Sequence, residues 1–292
     1  MIVVTAPTGR IGHQVLDALL DGGEKVRVIA RDPARIAPEA RERVEVVQGS
    51  HSDPRVLSEA FEGTDSVLWL VPPNPRADDI REHYLGFTRP ACEAVRKRGV
   101  RRVVGVSSLG RGYGAHAGQL SAAFAMDELI ESTGAGYRAL AMPFFMENLL
   151  HQADALRTDG VLSVPVAPDR ALPLVATRDI AAVAARLLAD GSWSGQETVP
   201  LIGPDSLTPV GMAQVLSEVL ERPVRFERPD GEEYKATLTR YGMHDAWAQG
   251  LLDMAAAQDD GIYEPEWEAL TAPAPTGFRQ WCQEVLIPAT AA

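Results

Sequence analysis

The feature that most constrains this chain is a glycine-containing turn between an apolar run and a helical pattern, all within its opening segment. Residues Met1–Thr5 are apolar and β-branched, which is typical of a buried strand. The turn has the spacing Ala6-x-x-Gly9-x-x-Gly12, and from Ile11 to Leu20 the apolar residues recur at helical intervals. A strand, a glycine turn and a helix in this order predict the opening of a βαβ unit.

The same alternation continues along the first two thirds of the chain. Strands alternating with helices are typical of a parallel sheet with helices on both faces, and we therefore predict an α/β protein with a Rossmann-type, doubly wound parallel sheet. The further strands are predicted at residues 25–30, 44–48, 66–71, 102–107, 137–142 and 197–202, and the further helices at residues 54–61, 79–98, 120–132 and 178–190.

The pattern changes toward the C-terminus. Residues 144–176 contain Pro165, Pro168 and Pro173 and show little periodicity, whereas residues 209–220 and 232–258 have a helical pattern. We expect a small, mostly helical subdomain that covers the substrate. The predicted division assigns residues 1–143 and 178–203 to the Rossmann domain, and residues 144–177 and 204–292 to the substrate-binding subdomain.

A glycine turn of this kind suits a pyrophosphate, because backbone N–H groups and the positive end of the helix can approach its oxygens closely. The alternative is an ordinary helix cap that binds nothing, but such caps seldom need two glycines three residues apart. The first position departs from the usual pattern, since it carries a methyl group where glycine is typical. We expect a nicotinamide dinucleotide to contact Thr5, Ala6, Thr8, Gly9, Arg10, Ile11 and Gly12.

The residues after the second strand favour one form of the dinucleotide. An acidic residue there binds the ribose 2′-hydroxyl of NAD, whereas an arginine accommodates the 2′-phosphate of NADP. Arg31 occupies this position, with Asp32 directly after it and Arg35 one helical turn further on. The alternative is a solvated surface arginine. We expect NADP(H), and NAD(H) stays open.

Loops after the other strands should complete the cofactor site, because open α/β sheets bind ligands at the carboxyl ends of their strands. The expected contacts are Gly49 and Ser50 for the adenine, Val71 and Pro72 for the pyrophosphate and ribose, and Ser107 and Phe144 at the ends of the fifth and sixth strands.

Charge and composition exclude several classes of partner. The net charge is −12 and basic residues occur only in scattered pairs, so nucleic acid and anionic membrane surfaces are not expected partners. The apolar runs are too short to cross a bilayer. Cys92 and Cys282 lack metal-ligand spacing and the chain enters a strand directly, so we expect a cytoplasmic protein without a metal site. A small-molecule substrate is the expected partner, and a homo-oligomer stays open.

Together, these motifs resemble those of NmrA-like atypical short-chain dehydrogenases/reductases. The resemblance covers nearly the whole chain and implies a Rossmann core, NAD(P)H binding and a small C-terminal subdomain. The family includes isoflavone-reductase-like and quinone-reductase-like enzymes and also redox sensors that bind the cofactor without turnover, so the resemblance leaves the activity open. Its landmarks are residues 5–12, 31–33, 106–108, the segment RALAMPFFMEN at residues 138–148, and residues 178–180.

The catalytic pair of short-chain reductases is missing from the sequence. In those enzymes a Tyr and a Lys four residues later supply the proton, but none of the 6 tyrosines here has a Lys at that offset. The position at which related reductases carry a lysine corresponds to Ala123, and the Arg often found before Pro in the sixth-strand motif corresponds to Met142. These departures favour either a non-catalytic binder or a reaction that needs no strong general acid.

If hydride is transferred, the nicotinamide should lie over the end of the fifth strand. Ser108 could then polarise a carbonyl group, and Tyr113 or His116 on the following loop could protonate the reduced oxygen. The alternatives are a turn cap for Ser108, a structural role for Tyr113 and a solvated side chain for His116.

A site without the Tyr-Lys pair suits an acceptor that needs positioning more than a strong acid. Quinones and extended enones are such acceptors, because the charge that hydride brings is delocalised over them. The predicted substrate is therefore an aromatic compound of this kind. We predict an NADPH-dependent reductase of a quinone or conjugated carbonyl, such as an aromatic polyketide-type secondary metabolite. The alternatives are a redox sensor that binds NADP without turnover and a non-redox isomerase or hydratase. The expected substrate contacts, for which an ordinary core is the alternative, are Phe145, Met146, Asn148, Met243 and Trp247.

Overall fold

The computed structural model describes residues 1–268 and 273–291. The strands are β1 (Ile2–Thr5), β2 (Val26–Ala30), β3 (Glu45–Gln48), β4 (Ser66–Trp69), β5 (Arg102–Ser108), β6 (Gly136–Met142), β7 (Phe144–Phe145), β8 (Val161–Ser163), β9 (Leu172–Val175), β10 (Gln196–Pro200), β11 (Ser206–Leu207) and β12 (Arg225–Glu227). The α-helices are α1 (Arg10–Asp21), α2 (Pro38–Arg41), α3 (Pro54–Ala60), α4 (Ile80–Arg98), α5 (Gln119–Glu131), α6 (Ala153–Thr158), α7 (Thr177–Ala189), α8 (Pro209–Val219), α9 (Gly231–Arg240), α10 (Asp245–Asp259), α11 (Glu264–Glu268), α12 (Phe278–Trp281) and α13 (Ile287–Ala291).

Seven strands form one sheet in the order β10-β6-β5-β4-β1-β2-β3, and every neighbouring pair is parallel. The strand order reverses between β1 and β4, so two half-sheets extend outward from that point. Helices α1 and α7 pack on one face, and α3, α4 and α5 pack on the other. The prediction of a Rossmann-type, doubly wound α/β sheet is therefore confirmed. The predicted domain boundaries stay a prediction.

Strand β5 shows how alternate residues serve the two faces of the sheet. Val104 and Val106 contact the core under α1 and α7, whereas Val103 faces α4 and α5. Gly105 lies on this second face, where a Cβ would be only 2.1 Å from the phenol oxygen of Tyr137. Glycine at this position therefore allows the tyrosine ring to cross the strand.

Residues 144–176, which show little periodicity in the sequence, contain short strands as well as helix. Strands β7 and β9 form a three-stranded sheet with β11, and β8 pairs with β12. The strands β7, β8 and β9 have 2, 3 and 4 residues. A period-two alternation needs about four residues to be visible, so β7 and β8 are too short to show one. Strand β9 has four residues, but it contains Pro173 and is buried at every position, so it shows no alternation either.

Residues 144–176, together with β11 and β12, form what we call the second layer. Glu147 joins this second layer to the parallel sheet. Its side chain is buried, and its two oxygens lie 3.1 and 3.0 Å from the backbone N of Thr177, the first residue of α7. It also accepts a hydrogen bond of 3.0 Å from the indole nitrogen of Trp281. A carboxylate at this position satisfies an N–H group of the helix end that would otherwise lack a partner.

The segment 232–258 was predicted as one helical stretch, but it forms the two helices α9 and α10. Gly242 has a φ of 89°, a left-handed conformation that ends α9 just after its C-cap. His244 then begins the next helix, because its Nδ1 atom accepts a hydrogen bond of 3.3 Å from the backbone N of Ala246.

Helices α9 and α10, which we call the helical cover (residues 231–259), dock on loops at the carboxyl edge of the sheet. A Cβ on Gly118, at the start of α5, would lie 1.9 Å from the carbonyl oxygen of Gly250. A Cβ on Gly250 would lie 2.4 Å from Cδ1 of Ile80. The backbone N of His244 also donates a hydrogen bond of 2.7 Å to the carbonyl oxygen of Pro75. The cover therefore approaches the sheet so closely because glycine occupies both contact positions.

Replacing Gly118 by Ala should loosen the helical cover. The backbone φ is +55° and the new methyl group would overlap the Gly250 carbonyl, so we expect the free energy of unfolding to fall by about 2 kcal/mol or more. Gly114→Ala is the matched control, because the same loop offers open space at that position. Denaturant unfolding followed by circular dichroism measures both, and equal stabilities would contradict the docking contact.

Candidate functional site

The turn after β1 lies where the strand order reverses, and its shape depends on the close contact between Gly12 and the Ala6 carbonyl oxygen. Ala6 has a φ of 49°, and its carbonyl oxygen accepts a hydrogen bond of 3.0 Å from the backbone N of Gly9. A Cβ on Gly12 would lie 2.1 Å from that same oxygen. Gly12 is therefore required because the first turn of α1 packs directly on the Ala6 carbonyl.

The N-terminus of α1 is open to a ligand. Among the described residues, no side chain caps it, and its first turn contains no acidic residue. Thr8, Gly9 and Arg10 are exposed, whereas Ile11 and Gly12 are buried against the sheet. A pyrophosphate needs N–H donors, a positive helix end and a backbone that it can approach closely. The turn provides uncapped N–H groups, the N-terminus of α1 and glycine at positions 9 and 12, so these residues fit a dinucleotide.

Thr5 contributes to this site through the sheet. Its buried hydroxyl donates a hydrogen bond of 2.8 Å to the carbonyl oxygen of Leu68 and accepts one of 3.1 Å from the backbone N of Leu70. The side chain thus joins β1 to β4 at the point where the strand order reverses. Its hydroxyl is already engaged, so the structure gives Thr5 a positioning role for the turn.

The two residues after β2, Arg31 and Asp32, differ in their side-chain contacts among the described residues. Asp32 Oδ1 accepts a hydrogen bond of 3.1 Å from the backbone N of Ala34 and caps the short 3-10 helix Pro33–Arg35. Arg31 is exposed. Since Asp32 is held against the backbone of its own turn, Arg31 is the side chain at the end of β2 that can reach toward a phosphate.

A buried histidine that the sequence did not single out lies between β2 and β4. His51 is 7% exposed, contacts the rings of Trp69 and Phe87, and lies 3.1 Å through Nε2 from the carbonyl oxygen of Leu70. Burial lowers the pKa of His51 to about 4, with a smaller contribution from the charge of Arg31. The ring is therefore neutral at pH 7. Nothing in the sequence distinguished it from a solvated loop histidine.

The neighbouring residues of the predicted adenine pocket and of the β4 loop are ordered by local contacts. Gly49 lies against Val56, where a Cβ would be 2.5 Å from Cγ2, and Ser50 Oγ is 2.8 Å from Ser52 Oγ. Val71 is buried, and the carbonyl oxygen of Pro72 is 2.8 Å from Nε2 of His83. The ends of β3 and β4 lie at the same carboxyl edge of the parallel sheet as the turn, and the cofactor contacts predicted there stay a prediction.

The end of β5 carries two buried hydroxyl groups with different partners. The Ser108 hydroxyl lies 3.0 Å from the Leu109 carbonyl oxygen and 3.3 Å from that of Met142, and it can donate its single proton to either one. Ser107 Oγ instead donates one of 2.5 Å to Asp127 on α5. Both serines lie at the predicted nicotinamide end, but they face opposite sides of the sheet.

A buried phenol from the C-terminal part of the chain lies beside Ser108. Tyr263 is 4% exposed and accepts a hydrogen bond of 3.2 Å from Nε2 of Gln258. Burial raises the pKa of the Tyr263 phenol, although its hydrogen bonds with Gln258 and Ser108 lower it. No sequence pattern identified this residue, because it is distant from the strand motif and lies just beyond α10.

Two of the predicted catalytic residues bind the helical cover. The Tyr113 phenol donates a hydrogen bond of 2.8 Å to Asp260, and this bond raises the pKa of the phenol. His116 is 69% exposed, with Nε2 at 3.6 Å from Asp253. Both side chains therefore point toward acids on or beside α10, and the structure does not bring them together with Ser108.

The predicted substrate contacts differ in how much surface they offer. Phe144 and Phe145 form β7 and are half-buried, Met243 is half-buried and Asn148 is exposed. Met146 is fully buried in the core of the second layer, so the structure assigns its side chain to that core. Trp247 is also buried, against His83, and its indole nitrogen has no hydrogen-bond partner among the described residues.

The positions at which the sequence departs from the short-chain reductase pattern are apolar and closed. Ala123 and Met142 are both buried. Within residues 1–268 and 273–291, no group of three or more His, Cys, Asp and Glu side chains could hold a metal ion. No helix of that part of the chain is both long and apolar enough to cross a membrane.

A doubly wound parallel sheet, with an open helix end and a glycine approach at the reversal of its strand order, defines a dinucleotide-binding protein of the Rossmann class. The chain belongs to the NAD(P)H-binding family whose model matches residues 7–191. The cofactor class predicted from the turn is thus confirmed, and with it the resemblance to NAD(P)H-binding reductase relatives.

Similar proteins extend along nearly the whole chain. A (4-alkanoyl-5-oxo-2,5-dihydrofuran-3-yl)methyl phosphate reductase of Streptomyces griseus is 29% identical over 288 residues, 97% of each chain. An NAD(P)H azoreductase of Xenophilus azovorans is 27% identical over 261 residues, 88% of this chain and 86% of the relative. The solved NADPH-dependent quinone oxidoreductase of Escherichia coli, complexed with NADPH, has a TM-score of 0.81 at 22% identity, covering 99% of both chains. That structure shares the fold.

Replacing Gly12 by Val should abolish NAD(P)H binding while the sheet stays folded. Even a Cβ would overlap the Ala6 carbonyl, so the turn must move away from the position that presents its N–H groups to phosphate. Titration calorimetry with NADPH measures the loss. Gly86→Ala on α4 is the control, because that position faces open space. Unchanged affinity in a folded Gly12→Val variant would sink the assignment of the turn.

Proposed function

We propose that this chain is an NAD(P)H-dependent reductase that transfers hydride to a quinone or another conjugated carbonyl compound, with NADPH as the preferred donor. The observation that carries the proposal is the hydrogen bonding and the weak acidity of the hydroxyl groups at the end of β5. Ser108 is bonded to backbone carbonyls, and burial raises the pKa of the Tyr263 phenol beside it. Neither of these two groups is a strong acid, so they suit an acceptor that spreads the negative charge of hydride transfer over a conjugated system and that hydrogen bonds can stabilise.

The residues proposed to hold the dinucleotide follow the carboxyl edge of the sheet. The turn of residues 6–12 receives the pyrophosphate, Arg31 the 2′-phosphate, and Gly49 with Ser50 the adenine, while the ends of β5 and β6 receive the nicotinamide. When bound, NADPH supplies hydride from C4 of its nicotinamide. The half-buried ring of Phe144, next to the end of β6, then lies where it can pack against the cofactor.

Conjugated acceptors match this environment for an electrostatic reason. The negative charge that forms on hydride transfer spreads over the conjugated system, so a few oriented hydrogen bonds stabilise it. Three of the predicted substrate contacts keep exposed surface: Phe145 and Asn148 in the second layer and Met243 in the helical cover. Phe145 and Met243 provide apolar surface, and Asn148 provides an amide group. We propose these three as substrate contacts. The orphaned indole N–H of Trp247 is a further donor that a bound ligand could satisfy.

The names of the relatives support the same class of acceptor. They describe reductases of an azo compound, a 5-oxo-2,5-dihydrofuran and a quinone. Each of these names denotes an acceptor whose π-system is conjugated. An aromatic polyketide-type metabolite is one such compound, and we propose it as a substrate to be included in the assay.

The proposal is tested by NADPH oxidation, followed at the nicotinamide absorbance, against a panel of quinones, enones, azo dyes and polycyclic aromatic ketones. We expect turnover with at least one quinone or enone and little with isolated, saturated ketones, because these cannot delocalise the negative charge that hydride transfer creates. Thermal shift with NADPH is measured in parallel. Cofactor binding without turnover of any panel member would overturn the reductase and favour a redox sensor.

Arg31→Glu should weaken NADPH binding far more than NADH binding. The substitution removes the positive charge at the end of β2 and places a carboxylate near the 2′-phosphate, and a lost charge-assisted bond costs about 1.5–3 kcal/mol, or roughly tenfold to hundredfold in affinity. Arg186→Glu is the matched control, because it makes the same charge change near the exposed end of α7. Equal losses for both dinucleotides would remove the assignment of Arg31.

A further inference from the structure

A buried carboxyl group lies directly behind the end of β5. Asp127, on α5, is 1% exposed. Its Oδ2 accepts a hydrogen bond of 2.5 Å from Ser107 Oγ, and its Oδ1 accepts one of 2.6 Å from the Tyr137 phenol. Gly105 makes the arrangement possible, because a side chain there would overlap the tyrosine. Two adjacent strands and a helix thus converge on one carboxyl group at the site's inner wall.

Ionisation of this carboxyl group is unfavourable. Burial raises the pKa of Asp127 to about 6, although the hydrogen bonds from Ser107 and Tyr137 and the charge of Arg111 lower it. Glu131, one turn further along α5, raises it slightly more. Arg111 is bonded to Glu131, with Nη1 at 2.5 Å from Oε1, so much of its charge is neutralised before it can act on Asp127.

The helix packed against the other side of α5 adds no cation to the carboxyl group. On α4, Cys92 donates to the carbonyl oxygen of Leu129, and Arg96 donates to that of Ser132. Both contacts are with the C-terminal turn of α5, beyond Asp127. An ionised Asp127 is therefore without a directly bonded cation among the described residues, and a buried charge in that state is costly.

The protonation state of Asp127 decides what Ser107 can offer to a ligand. A serine hydroxyl has one proton to donate and two lone pairs that accept. When Asp127 is ionised, its carboxylate holds the Ser107 proton, and the hydroxyl can only accept. When Asp127 is protonated, it donates to Ser107 Oγ, and the Ser107 proton becomes free for an acceptor oxygen. Ser107 is 6% exposed and stands at the strand end proposed for hydride transfer.

We propose that Asp127 is the proton reservoir of the reductase and that it acts through Ser107. This inference rests on the proposed function and deepens it, since it names the proton source that replaces the missing Tyr-Lys pair. Asp127 touches no substrate, whereas Ser107 is the group that contacts the acceptor oxygen. Tyr137 holds the second carboxyl oxygen and fixes the orientation of the pair.

The proposed step balances atoms and charge. Bound NADPH would supply the hydride that reduces the acceptor and would itself be oxidised to NADP⁺. The anionic oxygen of the reduced acceptor takes the proton from Ser107 Oγ as Ser107 takes the proton from the Asp127 carboxyl group. The products are the reduced, neutral acceptor and an Asp127 carboxylate, which regains a proton from solvent through Ser107 after the product leaves.

The test measures single-turnover reduction of an acceptor from the panel across a pH range on both sides of the carboxyl pKa of about 6. The wild-type rate should fall as pH rises through that value, by up to about tenfold per pH unit. Asp127→Asn keeps the shape and can still donate a hydrogen bond, but it holds no transferable proton. It should therefore give a rate that is independent of pH, as should Ser107→Ala.

Two further variants separate a proton reservoir from a merely structural carboxylate. Tyr137→Phe removes a hydrogen bond that lowers the pKa of Asp127, so the fall in rate should move to higher pH. Asp179→Asn is the matched control, since Asp179 is also buried and accepts hydrogen bonds of 3.0 and 2.9 Å from Thr276. It should keep the wild-type pH profile. A pH-dependent rate that survives in Asp127→Asn would overturn the proposal.

An activity-independent measurement distinguishes failure of this inference from failure of the reductase itself. Because the folded-state pKa of Asp127 is raised, the stability that its proton contributes is fully present below the ordinary carboxyl pKa and is lost as pH rises through about 6. The melting temperature of the wild type relative to Asp127→Asn should decline over that range. A constant difference would show that Asp127 does not hold a proton, whether or not any acceptor is reduced.

Discussion

The contact between the Ala6 carbonyl and the first turn of α1 determines where the dinucleotide site can lie. It requires glycine at position 12 and a left-handed backbone at Ala6, which costs about 1 kcal/mol more for alanine than for glycine. The hydrogen bond from Gly9 helps to offset this cost. Because α1 packs on α7, and Gln14 donates a bond of 3.3 Å to Thr177, the turn is also connected to the Glu147 carboxylate that caps α7. The pyrophosphate end of the site and the second layer are therefore positioned together.

The other side of the site depends on how the helical cover is attached. Its closest approach is a contact between Gly118 and Gly250, and α9 has no fully buried residue among those that the structure describes. Elements with few buried contacts lie at the low-stability end of a fold. Tyr113 strengthens this attachment through its hydrogen bond to Asp260, so a residue predicted to do chemistry helps to hold the loop after β5 beside the cover, while His116 lies near Asp253. A cover held in this way can exclude water from a bound acceptor without a large, permanent interface.

Local patterns in the sequence predicted the parallel sheet and the turn, because their information is contained in a few adjacent residues. The glycine at position 12 and the arginine after β2 are examples, since each has a role that its immediate neighbours define. The residues that were missed depend on long-range contacts. Tyr263 meets Ser108 across more than half of the chain, and Asp127 looks like any acidic residue on an amphipathic helix until β5 and β6 are placed against it. Met146 shows the opposite case, because a residue that follows a strand end by a few positions can equally well turn back into a core.

The missing lysine and the buried aspartate are two parts of one electrostatic arrangement. Ala123 precedes Asp127 by four residues on α5, so the two side chains lie on the same face of the helix. A lysine at position 123 would place a cation one turn from the carboxyl group and favour its ionised form. With alanine there, burial prevails and raises the pKa of the carboxyl group to about 6, so the group gains and loses its proton just below neutral pH. The nicotinamide end then contains hydroxyl groups and one carboxyl group that can be protonated, while the positive charge of the site is at Arg10 and Arg31, where the phosphates are expected. A chain arranged in this way does not need a lowered tyrosine pKa to deliver a proton, because the proton is stored in a carboxyl group that desolvation, rather than a neighbouring cation, has tuned.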